Sequence, residues 1–411
     1  MRIISLSYLD LWPAGEGKGI PSIYASQKAL ADRGHEVHFI CPSRKEQTEI
    51  STYQGIHLYR IRLPFNVSAK LFAGYIRTDR FFNRIQATLL YNLTWLFFLA
   101  YGLGWAIKIA RKSKPQLIYC HDLSPAPAAW LLSRIYAAKF ILRVYGTRDL
   151  YWRYQHFWSR LKEVRDFIAF KLPADQLIIT KDGTKADILA RQLGVKEEKI
   201  HHWRNGVDFG FDQPDPEIKN KIRAKLGLQQ DWKIIISTSR LYYFYNTDTL
   251  IYQLSELLRL NSRCACIIAH SGPDQEKLQD YVCRQKIADR VIFTGTVEKS
   301  YVRELVQASD VYINIGRYSN CNNSLFEAMA AGKAIVAMEN EAIKELIISG
   351  ENGFLLKAED LNHLPEVLNR LLADEQALRK YQTNVKKTAR EKLWTWEQRM
   401  NEEIKLLEGL L

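Results

Sequence analysis

Apolar residues along the chain form short runs that alternate with longer amphipathic stretches. The runs are rich in Ile, Val and Leu and are bounded by Gly, Pro, Asn or Asp. This pattern is typical of strands buried on both faces of a parallel sheet. It predicts strands at residues 2–6, 37–40, 57–62, 117–119, 140–144, 176–179, 200–203, 233–238, 265–269, 291–294, 311–315, 334–337 and 353–356. Helices are expected between them, for example at 20–33, 301–308 and 324–331.

Regular alternation of strands and helices predicts an α/β fold with parallel, doubly wound sheets and helices on both faces. A chain of 411 residues is too long for one ordinary core. Prolines, glycine and aspartates gather just after Val207 and predict a hinge there. We therefore expect domains at 1–207 and 208–393, followed by a last helix at 394–411.

Residues 85–107 form an uncharged run between Arg84 and Lys108. The run is long enough to span a bilayer. It also contains polar residues and glycines, and it lies between elements of one predicted sheet. A buried core helix is the favoured interpretation, and a helix that contacts a membrane is the alternative.

Composition excludes disorder, because 47% of the residues are hydrophobic and 25% are charged. The six cysteines have no zinc-ligand spacing, so we expect reduced thiols of a cytoplasmic protein. The first residues read as a strand and not as a secretory signal.

The net charge of +13 suits nucleic acids, anionic lipids or phosphorylated substrates. No nucleic-acid-binding signature accompanies it, so nucleic acid is the weakest of these partners.

The segment from Asp310 to Met338 carries the most specific chemistry. A strand, a Gly/Ser/Asn-rich turn, a helix opening at Ser324 and a second strand form a parallel crossover unit. Its helix N-terminus would attract phosphate, and Glu327 could accept hydrogen bonds from sugar hydroxyls. The alternative is a capping box, in which Ser324 and Glu327 only satisfy their own helix.

Glu327 to Gly332 read E-A-M-A-A-G, which resembles the donor site of glycosyltransferase family 4. Asn323 fits a common variant of that motif. Segments resembling the family's first strand, glycine loop, N-G-V-D turn and later motifs follow one another in the expected order over most of the chain. The resemblance implies the GT-B fold, in which two Rossmann-like domains face a cleft and the last helix crosses back to the first domain.

The resemblance also implies a retaining transferase that uses a nucleotide-sugar as co-substrate and needs no metal or other cofactor. In the family, the residue matching Glu327 holds the donor ribose and the one matching Arg240 binds the diphosphate. The remaining donor-site candidates are Gly17, Gly19, Tyr245, Gly272, Val297, Ser319, Asn323, Ser324 and Leu325. Candidates on the acceptor side are His121, Asp122, Tyr145 and Arg148; for His121 a purely structural contact is an equal alternative.

Three positions depart from the family pattern. Ser319 stands where a second Glu usually holds the donor sugar. Tyr245 replaces the lysine that accompanies Arg240, and Tyr145 replaces a histidine. These departures keep open a second interpretation, a catalytically silent GT-B protein that binds nucleotide or glycan. A GT-B epimerase is disfavoured because the family 4 motifs are present.

Basic and aromatic residues alternate from Arg60 to Arg84. The stretch predicts either contact with the anionic inner face of a membrane, with a lipid-linked or glycolipid acceptor, or a basic cleft for a soluble acidic glycan.

Overall fold

The computed structural model describes residues 1–11, 20–43, 45, 47–64, 81–210 and 216–411. It divides into two compact units. The first comprises Met1–Thr180, Thr184–Trp203 and Trp396–Leu411, and the second comprises Lys181–Gly183 and Arg204–Thr395. The main segment of the second unit thus starts at Arg204, shortly before Val207, where the hinge is expected, and the last helix belongs to the first unit.

The sheet of the first unit has the order β3-β4-β2-β1-β5-β6-β7-β8 among the described residues. All neighbours are parallel except β3, which is antiparallel to β4. The sequence pattern missed β3 because this edge strand has no buried face, and its Ile50 is 62% exposed. The strands are β1 (Arg2–Ser7), β2 (Glu36–Pro42), β3 (Glu49–Tyr53), β4 (Ile56–Ile61), β5 (Leu117–His121), β6 (Lys139–Val144), β7 (Gln176–Thr180) and β8 (Ile200–Trp203).

Helices cover both faces of this sheet and bury separate apolar clusters against it. They are α1 (Pro21–Asp32), α2 (Phe81–Ser113), α3 (Ala126–Ile135), α4 (Leu150–Tyr154), α5 (Phe157–Lys162), α6 (Val164–Lys171), α7 (Ala186–Gln192) and, from the end of the chain, α16 (Trp396–Glu408).

The long helix α2 contains the uncharged run. One of its faces is buried in the core of the first unit through Phe98, Ala106 and Ala110. Its outer face remains apolar, and Leu96 there is 52% exposed. The stretch Asn92–Ser113 is long and apolar enough to cross a membrane, and a third of it is buried; a single helix of this kind is weak evidence for a span.

The second unit has an entirely parallel sheet of order β11-β10-β9-β12-β13-β14 within the described chain. This is the order of the doubly wound nucleotide-binding fold, whose ligand crevice lies where the winding direction reverses. Here the reversal falls between β9 and β12, which are neighbours. The strands are β9 (Lys233–Ser237), β10 (Cys264–Ile268), β11 (Val291–Phe293), β12 (Val311–Asn314), β13 (Ala334–Met338) and β14 (Gly353–Leu356).

Helices of the second unit likewise bury two apolar clusters, one on each face of its sheet. They are α8 (Pro216–Leu226), α9 (Thr247–Leu260), α10 (Gln275–Arg284), α11 (Lys299–Ala308), α12 (Asn323–Ala330), α13 (Glu341–Lys344), α14 (Leu364–Ala373) and α15 (Glu375–Lys392). The predicted α/β class with two doubly wound sheets is thereby confirmed, and the strand order directs attention to the loops after β9 and β12.

Candidate functional site

The loops after β9 and β12 leave the sheet of the second unit side by side. Tyr312 of β12 pairs with Ile236 of β9, so the carboxyl ends of the two strands adjoin. Beyond those ends come Arg240 on one side and the 315–322 connection with helix α12 on the other. Since ligands of such sheets bind at this reversal point, the fold places the two main sequence candidates where a nucleotide is expected.

Helix α12 begins one residue before the predicted start, and its N-cap is Asn322. The side-chain Oδ1 of Asn322 accepts the backbone N–H of Leu325 at 3.1 Å. The capping-box alternative is therefore wrong, because the cap that it assigns to Ser324 is made by Asn322. In the described chain, the backbone N–H groups of Asn323 and Ser324 have no hydrogen-bond partner, which leaves two donors for an anion.

Glu327 lies in the second turn of α12 and does not serve its helix as a cap. Its side chain is 19% exposed, and Oε1 lies 3.3 Å from Nζ of Lys299. The carboxylate also faces Tyr312, whose hydroxyl lies 3.2 Å from Oγ1 of Thr238. Burial, and then the charge of Glu327, raises the pKa of Tyr312 well above its ordinary value. Glu327 is thus a partly exposed acceptor near the strand ends.

Arg240 is exposed beyond β9, and in the described part of the chain its guanidinium makes no hydrogen bond or ion pair. The pKa of His270, after β10, is lowered by burial and, to a smaller extent, by the charge of Arg240. The guanidinium is therefore close to the loop that follows β10, with its donors available.

Gly272 packs directly against the backbone of Leu241, so that any Cβ at this position would overlap the Leu241 carbonyl oxygen. The Leu241 N–H donates to the carbonyl of Ser271 at 3.3 Å. Glycine is needed here because two loops approach closely. The contact ties the loop of Arg240 to the loop after β10.

Val297 is half-buried in the turn after β11. Gly295 adopts a left-handed conformation in that turn, with φ of +68°. The hydroxyl of Thr296 is hydrogen-bonded to that of Ser271, so this loop adjoins the Gly272 loop. The positions predicted around phosphate and base thus lie on connected loops of one unit.

Ser319 and Asn323 are engaged by other segments of the second unit. The Ser319 hydroxyl donates to Oδ2 of Asp182 at 2.9 Å. Oδ1 of Asn323 accepts a bond of 2.9 Å from Nδ2 of Asn205 in the N-G-V-D segment. Tyr245 lies in a 3-10 turn, Tyr243–Tyr245, that leads into α9.

His121, at the end of β5 in the first unit, is fully buried. Its Nδ1 lies 2.6 Å from the hydroxyl of Tyr145 and its Nε2 lies 3.0 Å from Nε2 of Gln27. Burial, followed by the charge of Arg143, lowers the pKa of His121 from 6.5 to about 3. The ring is therefore neutral and part of the scaffold, which favours the structural alternative for His121 over a role in lining the acceptor side.

The other acceptor-side candidates are more accessible. Asp122 and Tyr145 are half-buried and Arg148 is exposed. Asp122 has a left-handed backbone, with φ of +76°, and its N–H donates to the carbonyl of Arg143 at 2.8 Å. Their contact with an acceptor remains a prediction.

A buried charge cluster beneath His121 was not predicted. Glu403 of α16 is 1% exposed; it pairs with Arg143 and lies 3.0 Å from Arg399. Ser26 and Tyr119 donate to the same carboxylate at 2.5 and 2.6 Å. The signal in the sequence was an arginine inside the apolar strand β6 and a glutamate on the apolar face of the last helix.

Several predicted residues fall outside the described ones. These are Gly17 and Gly19 of the first glycine loop, together with residues 65–80 of the basic and aromatic stretch between Arg60 and Arg84. Of that stretch, Arg60 is described, and its Nε donates to Oδ2 of Asp10 at 2.7 Å. In the described part of the chain, no group of three or more His, Cys, Asp or Glu side chains is arranged to hold a metal ion.

Comparison with known families finds two matches. The family described as Glycosyltransferase Family 4 matches residues 22–211, and the family described as Glycosyl transferases group 1 matches residues 218–392. Together the two ranges span most of the described chain, one in each half.

Individual relatives are distant in sequence. An uncharacterised glycosyltransferase of Methanocaldococcus jannaschii is 23% identical over 377 residues, which cover 90% of this chain and 88% of that protein. The alpha-monoglucosyldiacylglycerol synthase of Streptococcus pneumoniae is 26% identical over 145 residues, 34% of this chain and 33% of that protein. The structure of Anabaena HepE in complex with UDP and glucose is 16% identical, with a TM-score of 0.71 and full coverage of both chains. The last likeness shows a shared fold.

Proposed function

We propose that this chain, which belongs to glycosyltransferase family 4, transfers a sugar from a nucleotide-sugar to a glycan, lipid-linked or glycolipid acceptor with retention of anomeric configuration. The observation that carries the proposal is the grouping of unpaired donors and one acceptor around the reversal point of the second sheet. The donors are Arg240 and the first N–H groups of α12, and the acceptor is Glu327. Anabaena HepE, which shares the fold, has been solved with UDP and glucose.

Each group has a chemical task in this reaction. Arg240 would bind the diphosphate through parallel hydrogen bonds, and the N–H groups of Asn323 and Ser324 would meet the phosphate oxygens. Charge that develops on the leaving diphosphate would thus meet fixed dipoles and a guanidinium. Glu327 would accept the ribose hydroxyls. The acceptor hydroxyl would attack on the face that the diphosphate leaves, with its proton passing to the departing phosphate, so no side-chain nucleophile is required.

Binding of nucleoside diphosphates tests the site. Glu327→Gln and Arg240→Gln should each weaken binding of the cognate nucleoside diphosphate about ten- to a hundredfold, since each removes a charge-assisted hydrogen bond worth about 1.5–3 kcal/mol. Calorimetric titration with UDP, GDP and ADP measures the effect. Exposed Glu359→Gln and Arg284→Gln serve as matched controls. Unchanged affinity in both folded site variants would refute the assignment.

Ser319 supports the second interpretation, a catalytically silent protein that binds nucleotide or glycan. Its hydroxyl is already bonded to Asp182, and it carries no charge for holding a donor sugar. Slow hydrolysis of a nucleotide-sugar without acceptor favours the enzyme, whereas binding without turnover across a donor panel favours the silent protein. The anomeric configuration of any product, read by NMR, tests retention.

The lipid-acceptor part of the proposal places the first unit on an anionic membrane surface. Exposed apolar side chains support it. Leu96 on α2 is 52% exposed, and the consecutive residues Phe157 and Trp158 on α5 are 65% and 74% exposed. The pneumococcal relative is by name an alpha-monoglucosyldiacylglycerol synthase. The rings of Phe157 and Trp158 contact each other, with centroids 5.5 Å apart, and contiguous exposed apolar side chains are characteristic of interaction surfaces.

Vesicle flotation tests this placement. The protein should bind vesicles that contain anionic phosphatidylglycerol, bind neutral phosphatidylcholine vesicles far less, and be released by salt. The double variant Phe157→Ser/Trp158→Ser should lose vesicle binding but keep nucleotide affinity. If the protein binds neither vesicle type, a soluble acidic glycan is instead favoured as the acceptor.

A further inference from the structure

We propose that Arg317 binds the donor diphosphate and supplies the second positive charge that this chain lacks at Tyr245. The inference rests on the proposed function, because it concerns the same nucleotide site. It assigns to the connection after β12 a role that the loop after β9 has in similar proteins.

The position of Tyr245 defines the missing charge. Tyr245 ends the short turn between Arg240 and α9, and its side chain carries no positive charge. The next residue, Asn246, is the N-cap of α9 and has a left-handed conformation with φ of +52°. Asn246 is buried, and its Nδ2 donates to the carbonyl of Ile315 at 2.9 Å. This residue therefore joins the turn to the connection that follows β12.

Arg317 is held at this junction. Its Nε donates to Oδ1 of the same Asn246, so the guanidinium is fixed beside the residue that follows Tyr245. The preceding Gly316 is close to Tyr245 as well, because a Cβ on Gly316 would lie 3.6 Å from the Tyr245 ring. The guanidinium thus reaches, from another loop, the neighbourhood of the side chain that lost its charge.

The free end of Arg317 matches the chemistry of a diphosphate. The side chain is exposed, and among the described residues its two terminal nitrogens have no hydrogen-bond partner or carboxylate. With Nε anchored, these nitrogens form a planar, preorganised fork that fits two phosphate oxygens. An arginine that only links the two loops would need its Nε hydrogen bond to Asn246 and would not use its terminal nitrogens.

Calorimetric titration of five folded proteins separates these roles: wild type, Arg317→Gln, Arg317→Lys, Arg317→Gln/Tyr245→Lys, and the exposed control Arg284→Gln. The probes are UDP, GDP and ADP, each with its nucleoside. Arg317→Gln should weaken binding of the cognate nucleoside diphosphate about tenfold to a hundredfold and leave binding of the nucleoside unchanged, because only the phosphates lose a contact. Arg317→Lys should keep part of the affinity.

The double variant gives the sharpest result. If charge near residue 245 is what matters, Tyr245→Lys should recover most of the affinity that Arg317→Gln loses. Equal losses for diphosphate and nucleoside, or no recovery with Tyr245→Lys, would show that Arg317 only holds the loops together and would overturn the inference.

Failure of the proposed function has a different signature. A wild-type protein that binds none of the three diphosphates overturns both proposals. If the wild type binds one of them, and if this binding is lost in Arg240→Gln but kept in Arg317→Gln, only the role of Arg317 is overturned.

Discussion

Glu403 offers a stringent test of how the last helix is attached to the first unit. Burial alone would raise the pKa of Glu403. The charges of Arg143 and Arg399 and the hydrogen bonds from Ser26 and Tyr119 outweigh it, and they lower the pKa from 4.5 to about 2. A difference of this size corresponds to about 3 kcal/mol of stability. Removing one partner of a buried ion pair costs a similar amount, about 3–5 kcal/mol.

Glu403→Gln should therefore lower the Tm of the first unit by about 6–12 °C at pH 7, at roughly 2–4 °C per kcal/mol. The variant removes the carboxylate that pairs with two buried arginines, Arg143 and Arg399. Scanning calorimetry measures the shift, and hydrogen exchange on β5, β6 and α16 assigns it to this unit. Glu402→Gln is the matched control, because the neighbouring Glu402 is exposed and its substitution should change stability by less than about 0.5 kcal/mol.

The pH dependence gives an independent check. A carboxylate whose pKa is depressed in the folded state stabilises the protein above its unfolded pKa, and this contribution is lost as the pH falls through the folded pKa. The difference in stability between wild type and Glu403→Gln should thus be largest above about pH 5 and should decrease as the pH falls toward 2. A Tm for Glu403→Gln equal to that of Glu402→Gln at pH 7 would refute the reasoning.

Other expectations follow from the donor site. Gly272→Ala should destabilise the second unit by about 1–3 kcal/mol in thermal unfolding, because a Cβ would overlap the Leu241 carbonyl; Gly104→Ala, where a Cβ meets open space, should not. Asn322→Ala should cost about 1 kcal/mol and weaken nucleoside diphosphate binding, since the cap orients the first turn of α12; unchanged binding would argue against an anion at that turn. Sugar transfer should continue in excess EDTA, because the guanidinium and N–H groups supply the positive charge. Activity that EDTA abolishes and magnesium or manganese restores would contradict this.

The sequence predicted those parts of the fold that depend on local pattern. Strands buried on both faces, such as β9 and β13, have uninterrupted apolar centres at residues 234–236 and at Ala334–Met338, so composition reveals them. The edge strand β3 escaped because it is mostly exposed. The order of strands, which creates the reversal point between β9 and β12, depends on pairing between distant segments that no local pattern specifies.

In the candidate site, too, the sequence predicted some residues and missed others. The resemblance led to Glu327 and Arg240, and the structure shows Arg240 in the loop after β9 and Glu327 on helix α12, which follows the neighbouring strand β12. The cap at Asn322 was missed because three consecutive polar residues could each have started the helix. The sequence left the role of His121 open between acceptor side and scaffold, because its partners come from α1 and from Tyr145 after β6, far away in the chain.

The central claim is that the second unit activates a nucleotide-sugar through Glu327 and Arg240. Release of nucleoside diphosphate from a panel of UDP-, GDP- and ADP-sugars tests it most directly, with wild type, Glu327→Gln and Arg240→Gln assayed in parallel. We expect wild type to release nucleoside diphosphate from at least one donor, slowly without acceptor, and both variants to lose most of that activity at saturating donor. No release from any donor, or release that neither substitution diminishes, would contradict the account.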